Sequence, residues 1–371
     1  MARPPLRDRL LSSPRFRAWA TRFPLTRPVA RRRARALFDL CAGFVYAQVL
    51  LACVELGLFE ILAGGPVAEP ALARQLGLAP ERLQRLLLAA HSLRLVRPTR
   101  AGWRLGSLGA ALVGNDAVVA MVRHHAVLYA DLADPVALLR APAGSARLAR
   151  FWGYARPGDA DPDGADTDPG TAPALSAADV AAYSTLMAQS QPLVADEILG
   201  AYDLRPHRCL LDVGGGEGAF LQAASRRAPA LQRMLLDLPA VAERARARLG
   251  PQVTVVGADM LAAPWPNGAD IITLIRVVHD HDDAVARRIL ARAHAALLPG
   301  GVLLLAEPMA GTAGAEPVGA AYFGFYLLAL GSGQARTPDS LCRLLREAGF
   351  RQAQPRATAN PLIASLIVAF A

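Results

Sequence analysis

A glycine-rich segment that directly follows an apolar run gives the strongest chemical signal in the sequence. It reads LLDVGGGEG over residues 210–218, with Asp212, Gly214, Gly216 and Gly218 at alternate positions. Glycines allow positive φ and a close approach of the backbone to a ligand, and the N-terminus of a following helix favours an anionic group. The segment therefore predicts a strand, a tight turn and a helix that together bind a small molecule.

Two kinds of ligand fit this spacing. Gly214, Gly216 and Ala219 loosely satisfy the fingerprint of dinucleotide binding, whereas residues 212–218 satisfy D/E-x-G-x-G-x-G, the signature of S-adenosylmethionine (SAM) binding. Asp212 favours SAM, because a carboxylate beside the glycines suits an ammonium better than a pyrophosphate. A glycine turn without a ligand is the structural alternative. We predict that Asp212 and the alternate glycines bind SAM.

Two further acidic residues follow the next apolar runs of the chain. Asp237 ends the run 233–237, and Asp259 precedes Met260 after the run 252–256. Ligands of parallel sheets bind at the carboxyl ends of the strands, where a carboxylate can hold ribose hydroxyls. Either acid alone would more often be a helix cap or a surface charge. Their recurrence at successive strand ends favours one binding site.

A cluster of histidine and aspartate, RVVHDHDD over residues 276–283, follows the fourth apolar run. As a bare pattern it could be a metal site. Consecutive residues diverge after a strand end, however, and no Glu–His helix pair accompanies them, so we predict no metal. We favour His279 as a general base, since the unperturbed pKa of imidazole lies near neutrality. Glu307, after the fifth run, could orient the imidazole and stabilise its protonated form.

The elements that must position these residues alternate regularly. From residue 209 onward, short apolar runs alternate with helical stretches, which predicts an α/β fold with a doubly wound parallel sheet over residues 201–371. The last run, 362–370, follows 351–358 after a short turn and must therefore pair antiparallel to it. The earlier predicted strands are Cys209–Val213, Arg233–Asp237, Gln252–Val256, Asp270–Leu274 and Gly301–Ala306.

Residues 36–106 have a helical pattern instead. A long apolar helix is predicted over Phe38–Leu62 and two short helices over Glu69–Leu76 and Pro80–His91, followed by a hairpin between residues 93 and 105. Three helices and a hairpin predict a winged-helix unit.

Residues 107–200 are predicted to form a mostly helical connecting region. A solvated loop interrupts it at residues 156–173, where Pro, Gly and Asp dominate. After the loop, residues 176–199 predict one helix with Tyr183 and Met187 on the same face.

The first 35 residues form an Arg/Pro-rich arm that carries most of the charge. They hold eleven arginines and one acid, a net charge of +10, whereas the whole 371-residue chain carries +9. Five prolines predict that no long helix runs through the arm. The remaining chain is nearly neutral, and its 53% apolar content excludes global disorder. The length predicts two or three domains.

The sequence does not favour a membrane-spanning or disulfide-stabilised protein. Two apolar runs without a charge, residues 40–54 and 318–330, hold fifteen and thirteen residues and are therefore shorter than the ~20 apolar residues that a transmembrane helix needs. The four cysteines are far apart, without a close C-x-x-C pair. We therefore predict a soluble or peripheral protein in the reducing cytoplasm.

The motifs follow one another in a known order. LLDVGGGEG, DLP, the Asp-Met pair, RVVHDHDD, LLPGG and LLLAEP occur as in the SAM-dependent O-methyltransferases of the caffeate/acetylserotonin type, which the sequence resembles from about residue 36 to the end. Longer strings, among them LFDLCAGFVYAQVLLACVELGLFE and AEPMAGTAGAEP, are similar to the demethylspheroidene (hydroxyneurosporene) branch of that family in purple-bacterial carotenoid biosynthesis. The resemblance implies a Rossmann-like class I methyltransferase domain with a seven-stranded sheet, an N-terminal winged-helix dimerisation domain and an intertwined homodimer.

The resemblance also implies how the cofactor is held. Asp237 would bind the ribose of SAM, and Asp259 with Met260 would bind its adenine. The alternate glycines of the turn would line the methionine side. Arg276 occupies the position of a cofactor-contacting arginine and could pair with the methionine carboxylate.

For catalysis, His279 matches the family's base, Asp280 its neighbour and Glu307 the carboxylate that orients it. The chain departs from the family at Ala335, where many relatives carry a second acid that supports the histidine within G-x-E-R-T. His279 must then be oriented by Glu307 or Asp280, or base catalysis matters less here than positioning.

The acceptor that the resemblance implies is a hydroxylated, lipophilic carotenoid, with S-adenosylhomocysteine as the second product. The uncharged run 318–330 is a candidate wall for such a molecule, although an aromatic stripe can equally be core or dimer packing. The candidate substrate residues are Tyr183, Met187, Tyr322, Phe325 and Tyr326.

Other functions fit parts of the sequence. The acceptor could be another apolar molecule, such as a bacteriochlorophyll ring or a polyketide phenol. A winged helix with a basic arm suits a DNA-binding regulator, but the Leu-rich helix 80–91 is better suited to packing, so we predict no nucleic-acid partner. A SAM-binding scaffold without activity would explain Ala335 but not His279. We expect a cytoplasmic enzyme, peripheral on the photosynthetic membrane through its basic arm.

Overall fold

The computed structural model describes the backbone of residues 5–151 and 177–371 and the side chains of residues 5–149 and 189–371. The loop predicted at residues 156–173 lies outside the described residues. The chain divides into two compact units, Met1–Val122 and Arg123–Ala371.

The N-terminal unit is mostly helical. Leu58, Phe59, Leu83 and Leu87 are buried in its apolar core. The structure contains short helices followed by a hairpin, and these are the elements from which we predict a winged-helix unit. The elements are α1 (Leu6–Ser12), α2 (Pro14–Arg22), α3 (Arg27–Glu55), α4 (Leu58–Ala63), α5 (Glu69–Leu76), α6 (Pro80–Ser92), β1 (Val96–Thr99), β2 (Gly102–Leu105), α7 (Ser107–Ala110) and the start of α8 (Asp116–Asp131).

The long helix of this unit differs from its prediction. Helix α3 begins at Arg27, well before the predicted start at Phe38. Pro28 stands in the first turn, where a missing N–H costs no hydrogen bond, so this proline starts a helix instead of preventing one. Gly57, with a φ of +66°, then separates α3 from α4. The predicted start of the long helix is therefore wrong, whereas no single helix runs through the described part of the arm, which holds α1, α2 and the first turns of α3.

Helix α3 is also the one described helix that is long and apolar enough to cross a membrane. Its most apolar 18-residue window has a mean hydropathy of 2.0, and 11% of that window is buried. This result rests on length and composition, and core helices of soluble proteins and N-terminal signal sequences meet the same criterion.

The C-terminal unit contains a seven-stranded sheet with the strand order β5-β4-β3-β6-β7-β9-β8. The pairs from β5 to β7 are parallel, and β9 is antiparallel to both of its neighbours. This topology confirms the predicted α/β fold with an antiparallel last strand. The strands are β3 (Cys209–Val213), β4 (Gln232–Asp237), β5 (Val253–Gly257), β6 (Ala269–Ile275), β7 (Leu297–Glu307), β8 (Gln352–Arg356) and β9 (Ser365–Phe370).

Helices of this unit bury two separate apolar clusters against the sheet. Ile198 and Phe220 belong to one cluster, and Ile289 and Leu341 belong to the other. A π-helical turn, Val318–Phe323, precedes α14. The helices are α9 (Pro135–Arg140), α10 (Ala177–Ala201), α11 (Ala219–Arg227), α12 (Pro239–Leu249), α13 (Asp283–Ala296), α14 (Gly324–Leu330) and α15 (Pro338–Glu347).

The strand order reverses at β3, because β4 lies on one side of it and β6 on the other. Open α/β sheets bind their ligands in the crevice that such a reversal creates at the carboxyl ends of the strands. Asp212, Asp237 and Glu307 stand at the carboxyl ends of β3, β4 and β7. The fold therefore brings the predicted acidic residues to one edge of the sheet.

Candidate active site

The turn after β3 has a backbone conformation that glycine adopts most readily. Gly214, Gly216 and Gly218 have φ angles of +68°, +59° and +80°. A Cβ atom added at Gly215 would lie 2.3 Å from Oδ2 of Asp212, whereas one at Gly216 would meet no atom within 4 Å. The turn is therefore packed against Asp212 and open at Gly216, and α11 begins directly after it.

Asp212 is buried beneath this turn, with 1% of its surface exposed. Its Oδ1 accepts a 2.6 Å hydrogen bond from Thr273 Oγ1, and its Oδ2 has no partner among the described residues. Burial raises the pKa of the carboxyl to about 7. A buried carboxylate oxygen without a partner among the described residues can accept a further donor, and a ligand's ammonium group is one.

Asp237 connects the end of β4 to the glycine turn. Its Oδ2 accepts the Gly216 N–H at 2.8 Å, and its Oδ1 accepts the Leu238 N–H at 2.7 Å. Burial raises the pKa of this carboxyl, and the two N–H donors oppose the shift. Each oxygen retains a lone pair, so the fixed carboxylate can also accept hydroxyl donors such as those of a ribose.

Asp259 and Met260 follow β5, at the next strand end of the same edge. The Asp259 side chain is exposed, and its Oδ1 accepts the Leu261 N–H at 2.7 Å. The Met260 carbonyl accepts the indole N–H of Trp265, while its side chain packs against the apolar cluster beneath. The structure thus places both residues at the predicted strand end and shows that Asp259 also caps a turn.

Arg276 follows β6 in a backbone conformation that is uncommon outside glycine, with a φ of +57°. Its N–H donates to the Ala306 carbonyl at 2.7 Å, which fixes this conformation. Its Nη1 donates to Ser190 Oγ on α10 at 3.0 Å. The guanidinium is close enough to His279 to lower the pKa of that imidazole.

His279 lies in the short turn after Arg276 and is 4% exposed. Nε2 of its ring is 3.3 Å from Oδ1 of Asp280, and its Nδ1 has no hydrogen-bond partner among the described residues. Burial, with a smaller contribution from Arg276, lowers the pKa of His279 to about 3. The imidazole is therefore neutral at physiological pH, which is the form that can accept a proton.

The structure corrects the role predicted for Glu307. Its Oε2 accepts the backbone N–H of His279 at 2.9 Å, and no hydrogen bond joins it to the ring in the described part of the chain. Burial raises the pKa of Glu307 to about 7 and that of Asp280 well above its usual range. Glu307 thus fixes the main chain, Asp280 contacts the ring, and the protonated imidazole is disfavoured instead of stabilised.

Arg336 supports the same turn and was not identified from the sequence. Its buried guanidinium donates to the carbonyl of Val278 at 3.0 Å and to that of His281 at 2.7 Å, and it pairs with Asp283. Gln334, two residues before Arg336, donates its backbone N–H to the His279 carbonyl at 2.9 Å. An arginine in G-Q-A-R-T was the available signal, but the sequence does not show which carbonyls it reaches.

Ala335 stands between these two residues at the position where relatives carry an acid. It packs against an apolar cluster that includes Leu128, Leu138 and Leu330. The position where a second acid would be expected is therefore part of an apolar surface in this chain.

Two of the predicted substrate residues form hydrogen bonds with a pair of histidines on α8. Tyr326 OH lies 3.0 Å from Nε2 of His124, and Tyr322 OH lies 2.8 Å from Nε2 of His125. Burial lowers the pKa of both imidazoles and raises the pKa of both phenols, so all four groups are neutral. The histidines were not identified from the sequence.

The remaining substrate candidates differ in position. Phe323 lies against His279, with ring centroids 5.9 Å apart, whereas the Phe325 side chain is exposed. The role of Phe325 in binding the acceptor stays a prediction, and Phe323 is an aromatic residue of the same run that contacts His279. Tyr183 and Met187 lie on α10, but their side chains are outside the described residues.

These residues fit SAM. The unpartnered Oδ2 of Asp212 can accept from the ammonium, Asp237 can accept from ribose hydroxyls, and Gly216 leaves open space above the turn. Among the side chains that the structure describes, no group of three His, Cys, Asp or Glu is placed to hold a metal ion. The edge of the sheet thus combines a nucleoside-binding arrangement with a buried, neutral histidine.

Comparisons with known proteins agree with this arrangement. Residues 38–115 match the O-methyltransferase dimerisation domain, and residues 171–351 match the O-methyltransferase domain. The chain is 42% identical to demethylspheroidene O-methyltransferase of Rhodobacter capsulatus, over 97% of this chain and 88% of that protein. It is 41% identical to the protein of the same name from Cereibacter sphaeroides, over 97% and 93%.

A solved structure of human N-acetylserotonin methyltransferase in complex with SAM is similar over 91% of this chain and 97% of its own, with a TM-score of 0.72 and 25% identity.

Proposed function

Since the chain belongs to the family of SAM-dependent O-methyltransferases, we propose that it methylates the hydroxyl of a 1-hydroxylated carotenoid such as demethylspheroidene. The observation that carries this proposal is the identity of 41–42% to two relatives of that name over 97% of the chain. An aromatic wall beside His279, formed by Tyr322, Phe323 and Tyr326, supports an apolar acceptor.

His279 is proposed to accept the proton that the acceptor hydroxyl loses. When bound, SAM supplies an activated methyl group on a sulfonium. An aliphatic alcohol is a weak acid, so its oxygen attacks while still protonated and becomes strongly acidic as the new O–C bond forms. A neutral imidazole with a pKa of about 3 can take the proton at this late stage, because a protonated ether is a far stronger acid than that imidazolium.

Positioning is proposed to contribute more than base catalysis. General-base assistance is typically worth ~10²–10⁴-fold, whereas correct orientation of two reactants can contribute ~7–11 kcal/mol. Glu307 and Arg336 hold the peptide group that precedes His279, Arg336 also holds the carbonyl of His281 after it, and Phe323 covers the His279 ring. These contacts fix the base and exclude water without a second acid at Ala335.

Mass spectrometry of hydroxylated carotenoids tests the substrate and the base together. We would incubate 1-hydroxyneurosporene and demethylspheroidene, dispersed in detergent, with SAM and either wild type, His279→Ala or His281→Ala. His281 is the matched control, because it is a histidine of the same turn whose side chain has no proposed role. We expect one added methyl group on the hydroxyl, a rate ~10²–10⁴-fold lower in His279→Ala and little change in His281→Ala.

Two results would overturn parts of the proposal. Full activity of His279→Ala would keep the substrate and refute the general base. No methylation of either carotenoid, by a preparation that still binds SAM, would refute the carotenoid assignment and favour a tetrapyrrole or phenolic acceptor.

The proposed assembly is a homodimer formed through the N-terminal unit. The match to a dimerisation domain supports it, as do large apolar side chains on α3 that are exposed in one chain, among them Leu40 and Phe44. Leu40 and Phe44 are four residues apart and so share a helix face. We expect Leu40→Glu/Phe44→Glu to shift the mass in analytical ultracentrifugation from dimer to monomer, and an unchanged dimer would contradict this interface.

The proposed location is the cytoplasm, in peripheral contact with the membrane in which such an acceptor dissolves. The net charge of +10 in the first 35 residues supports attraction to anionic headgroups, at about 1 kcal/mol per arginine near the surface. Fractionation of cells into soluble and membrane pools, with and without a high-salt wash, tests this location.

A further inference from the structure

The first three helices carry an unusual concentration of exposed charge. We call residues 5–35 the N-terminal basic segment. Its arginines are all exposed, and among the described residues Arg35 alone forms an ion pair, with Asp39 at 3.8 Å. The arginines concerned are Arg7, Arg9, Arg15, Arg17, Arg22, Arg27, Arg31, Arg32, Arg33 and Arg35.

The same segment also exposes apolar side chains. Phe16, Trp19 and Phe23 form a row of aromatic rings, the aromatic stack, along α2 and its C-terminal cap: Phe16 and Trp19 are tilted with ring centroids 5.7 Å apart, and Trp19 and Phe23 are stacked with centroids 4.9 Å apart. Trp19 is 49% exposed and Leu25, in the turn before α3, is 81% exposed. Of the residues of α2, only Ala20 is buried. Trp19 and Phe23 are therefore exposed at the surface, whereas Phe16 is half-buried.

A helix with an apolar face and arginines around it is the pattern of elements that lie in a membrane interface. Tryptophan is favoured at the level of the headgroups because its ring is amphipathic. Arginines beside it bind the phosphate groups of anionic lipids. The N-terminal basic segment has both features, exposed aromatic side chains and surrounding arginines.

Two other occupants fit this surface less well. A second copy of the chain would bring two strongly positive segments together, and the match to the dimerisation domain begins only at residue 38. A nucleic acid would pair with the arginines and stack on aromatic rings, but exposed aliphatic side chains such as Leu6 and Leu25 have no role there.

We propose that the N-terminal basic segment docks the enzyme on anionic lipid bilayers, with Trp19 and Phe23 inserted at the interface and the arginines on lipid phosphates. The partner is thus a phospholipid surface of negative charge. This inference rests on the proposed function in one respect, since a lipophilic acceptor gives the docking its purpose.

Flotation with vesicles of stated composition tests the proposal. The protein of all 371 residues is mixed with vesicles of phosphatidylcholine alone or with about one third phosphatidylglycerol, and the bound fraction is measured against salt concentration. Quenching of Trp fluorescence by bromine on the acyl chains, compared between wild type and Trp19→Phe, reports whether Trp19 reaches the interface. Methylation of detergent-dispersed acceptor and SAM binding are measured on the same preparations.

Matched variants separate charge, insertion and nonspecific effects. Arg15→Gln/Arg22→Gln removes two charges that flank the aromatic stack, and Trp19→Ala removes the central ring. Arg226→Gln/Arg227→Gln, exposed at the end of α11, is the control for the same loss of charge elsewhere. We expect binding only to anionic vesicles, with an affinity reduced about fivefold per arginine of the first pair and little changed in the control pair.

Specific results would overturn the proposal. Equal binding to neutral and anionic vesicles, or equal losses in the Arg226/Arg227 control, would refute recognition of anionic lipid by this segment. Displacement by duplex DNA together with unchanged binding of Trp19→Ala would identify a nucleic-acid surface instead. Resistance of the bound protein to high salt and carbonate would indicate that α3 spans the membrane. If the wild-type protein does not bind anionic vesicles but still methylates the acceptor in detergent, the docking proposal is refuted and the proposed reaction is not.

Discussion

Replacing Asp212 by Asn isolates the charge of the carboxyl beneath the glycine turn. The amide keeps the size of the side chain, and its oxygen can still accept the hydrogen bond from Thr273. What it loses is the negative charge at the position of Oδ2, which has no partner in the described part of the chain. Because a hydrogen bond to a charged group contributes about 1.5–3 kcal/mol, we expect the Kd for SAM to rise roughly 10- to 150-fold.

Isothermal titration with SAM and with S-adenosylhomocysteine between pH 6 and pH 9 measures this effect. In wild type the Asp212 carboxyl, with a pKa of about 7, must ionise to pair with an ammonium. Affinity should therefore weaken by up to about tenfold for each unit that the pH falls below 7, and Asp212→Asn should lack this dependence.

Glu217→Gln is the matched control for this titration, because Glu217 is an acid of the same turn that pairs with Arg244 and Arg248 on the surface. Equal affinity of Asp212→Asn and wild type for both ligands would refute the assignment of Asp212 to the ammonium.

Three further substitutions test the surroundings of the base. Glu307→Gln should keep kcat within about tenfold of wild type, since the amide oxygen can still accept the backbone N–H of His279. A loss of kcat above about 10³-fold would mean that the charge of Glu307 acts on the imidazole ring of His279. Ala335→Glu should lower the Tm by burying a carboxylate against leucines, without raising kcat. A higher kcat at unchanged Tm would show instead that the restored acid supports the base. Tyr322→Phe leaves Nε2 of His125 without its hydrogen bond from Tyr322 and should lower the free energy of unfolding by about 1–3 kcal/mol. The double variant Tyr322→Phe/His125→Leu should recover most of this loss. Additive losses of the two substitutions, measured by urea unfolding, would refute the coupling of Tyr322 and His125.

The parts of this site that the sequence predicts are those that depend on local pattern. Buried strands are short apolar runs, and the β3 bounds agree with the prediction because a polar residue and the glycine turn limit that run on each side. Acidic residues at strand ends converge because parallel strands share one carboxyl edge. Asp212 and Asp237 could therefore be placed together without coordinates.

Contacts between distant segments could not be predicted in this way. Arg336 reaches the carbonyl of Val278, and His125 reaches Tyr322, across loops whose paths the sequence does not specify. The π-helical turn before α14 also gives residues 318–323 a spacing of side chains that differs from that of a regular α-helix, and no local pattern in the sequence shows it. Functional support around His279 depends on these long-range contacts.

The pH dependence of the free energy of unfolding tests whether His279 is buried and neutral, independently of whether it acts as the general base. Burial and Arg276 lower its pKa from 6.5 to about 3 in the folded chain. Between these values the unfolded chain binds a proton that the folded chain does not, so this contribution to stability is present above pH 6.5 and is lost as the pH falls toward 3. The full loss is on the order of 5 kcal/mol.

Urea unfolding of wild type and His279→Gln at pH 5 and pH 7 isolates this term, because other titrating groups cancel in the difference between the two proteins. The free energy of unfolding should fall more in wild type than in the variant as the pH is lowered. The same neutral imidazole predicts that kcat, measured with saturating SAM, has no inflection near pH 6.5, since His279 stays unprotonated throughout that range. An inflection near 6.5 that disappears in His279→Gln would mean that the ring is hydrated in the working enzyme, and that Phe323 does not shield it from water.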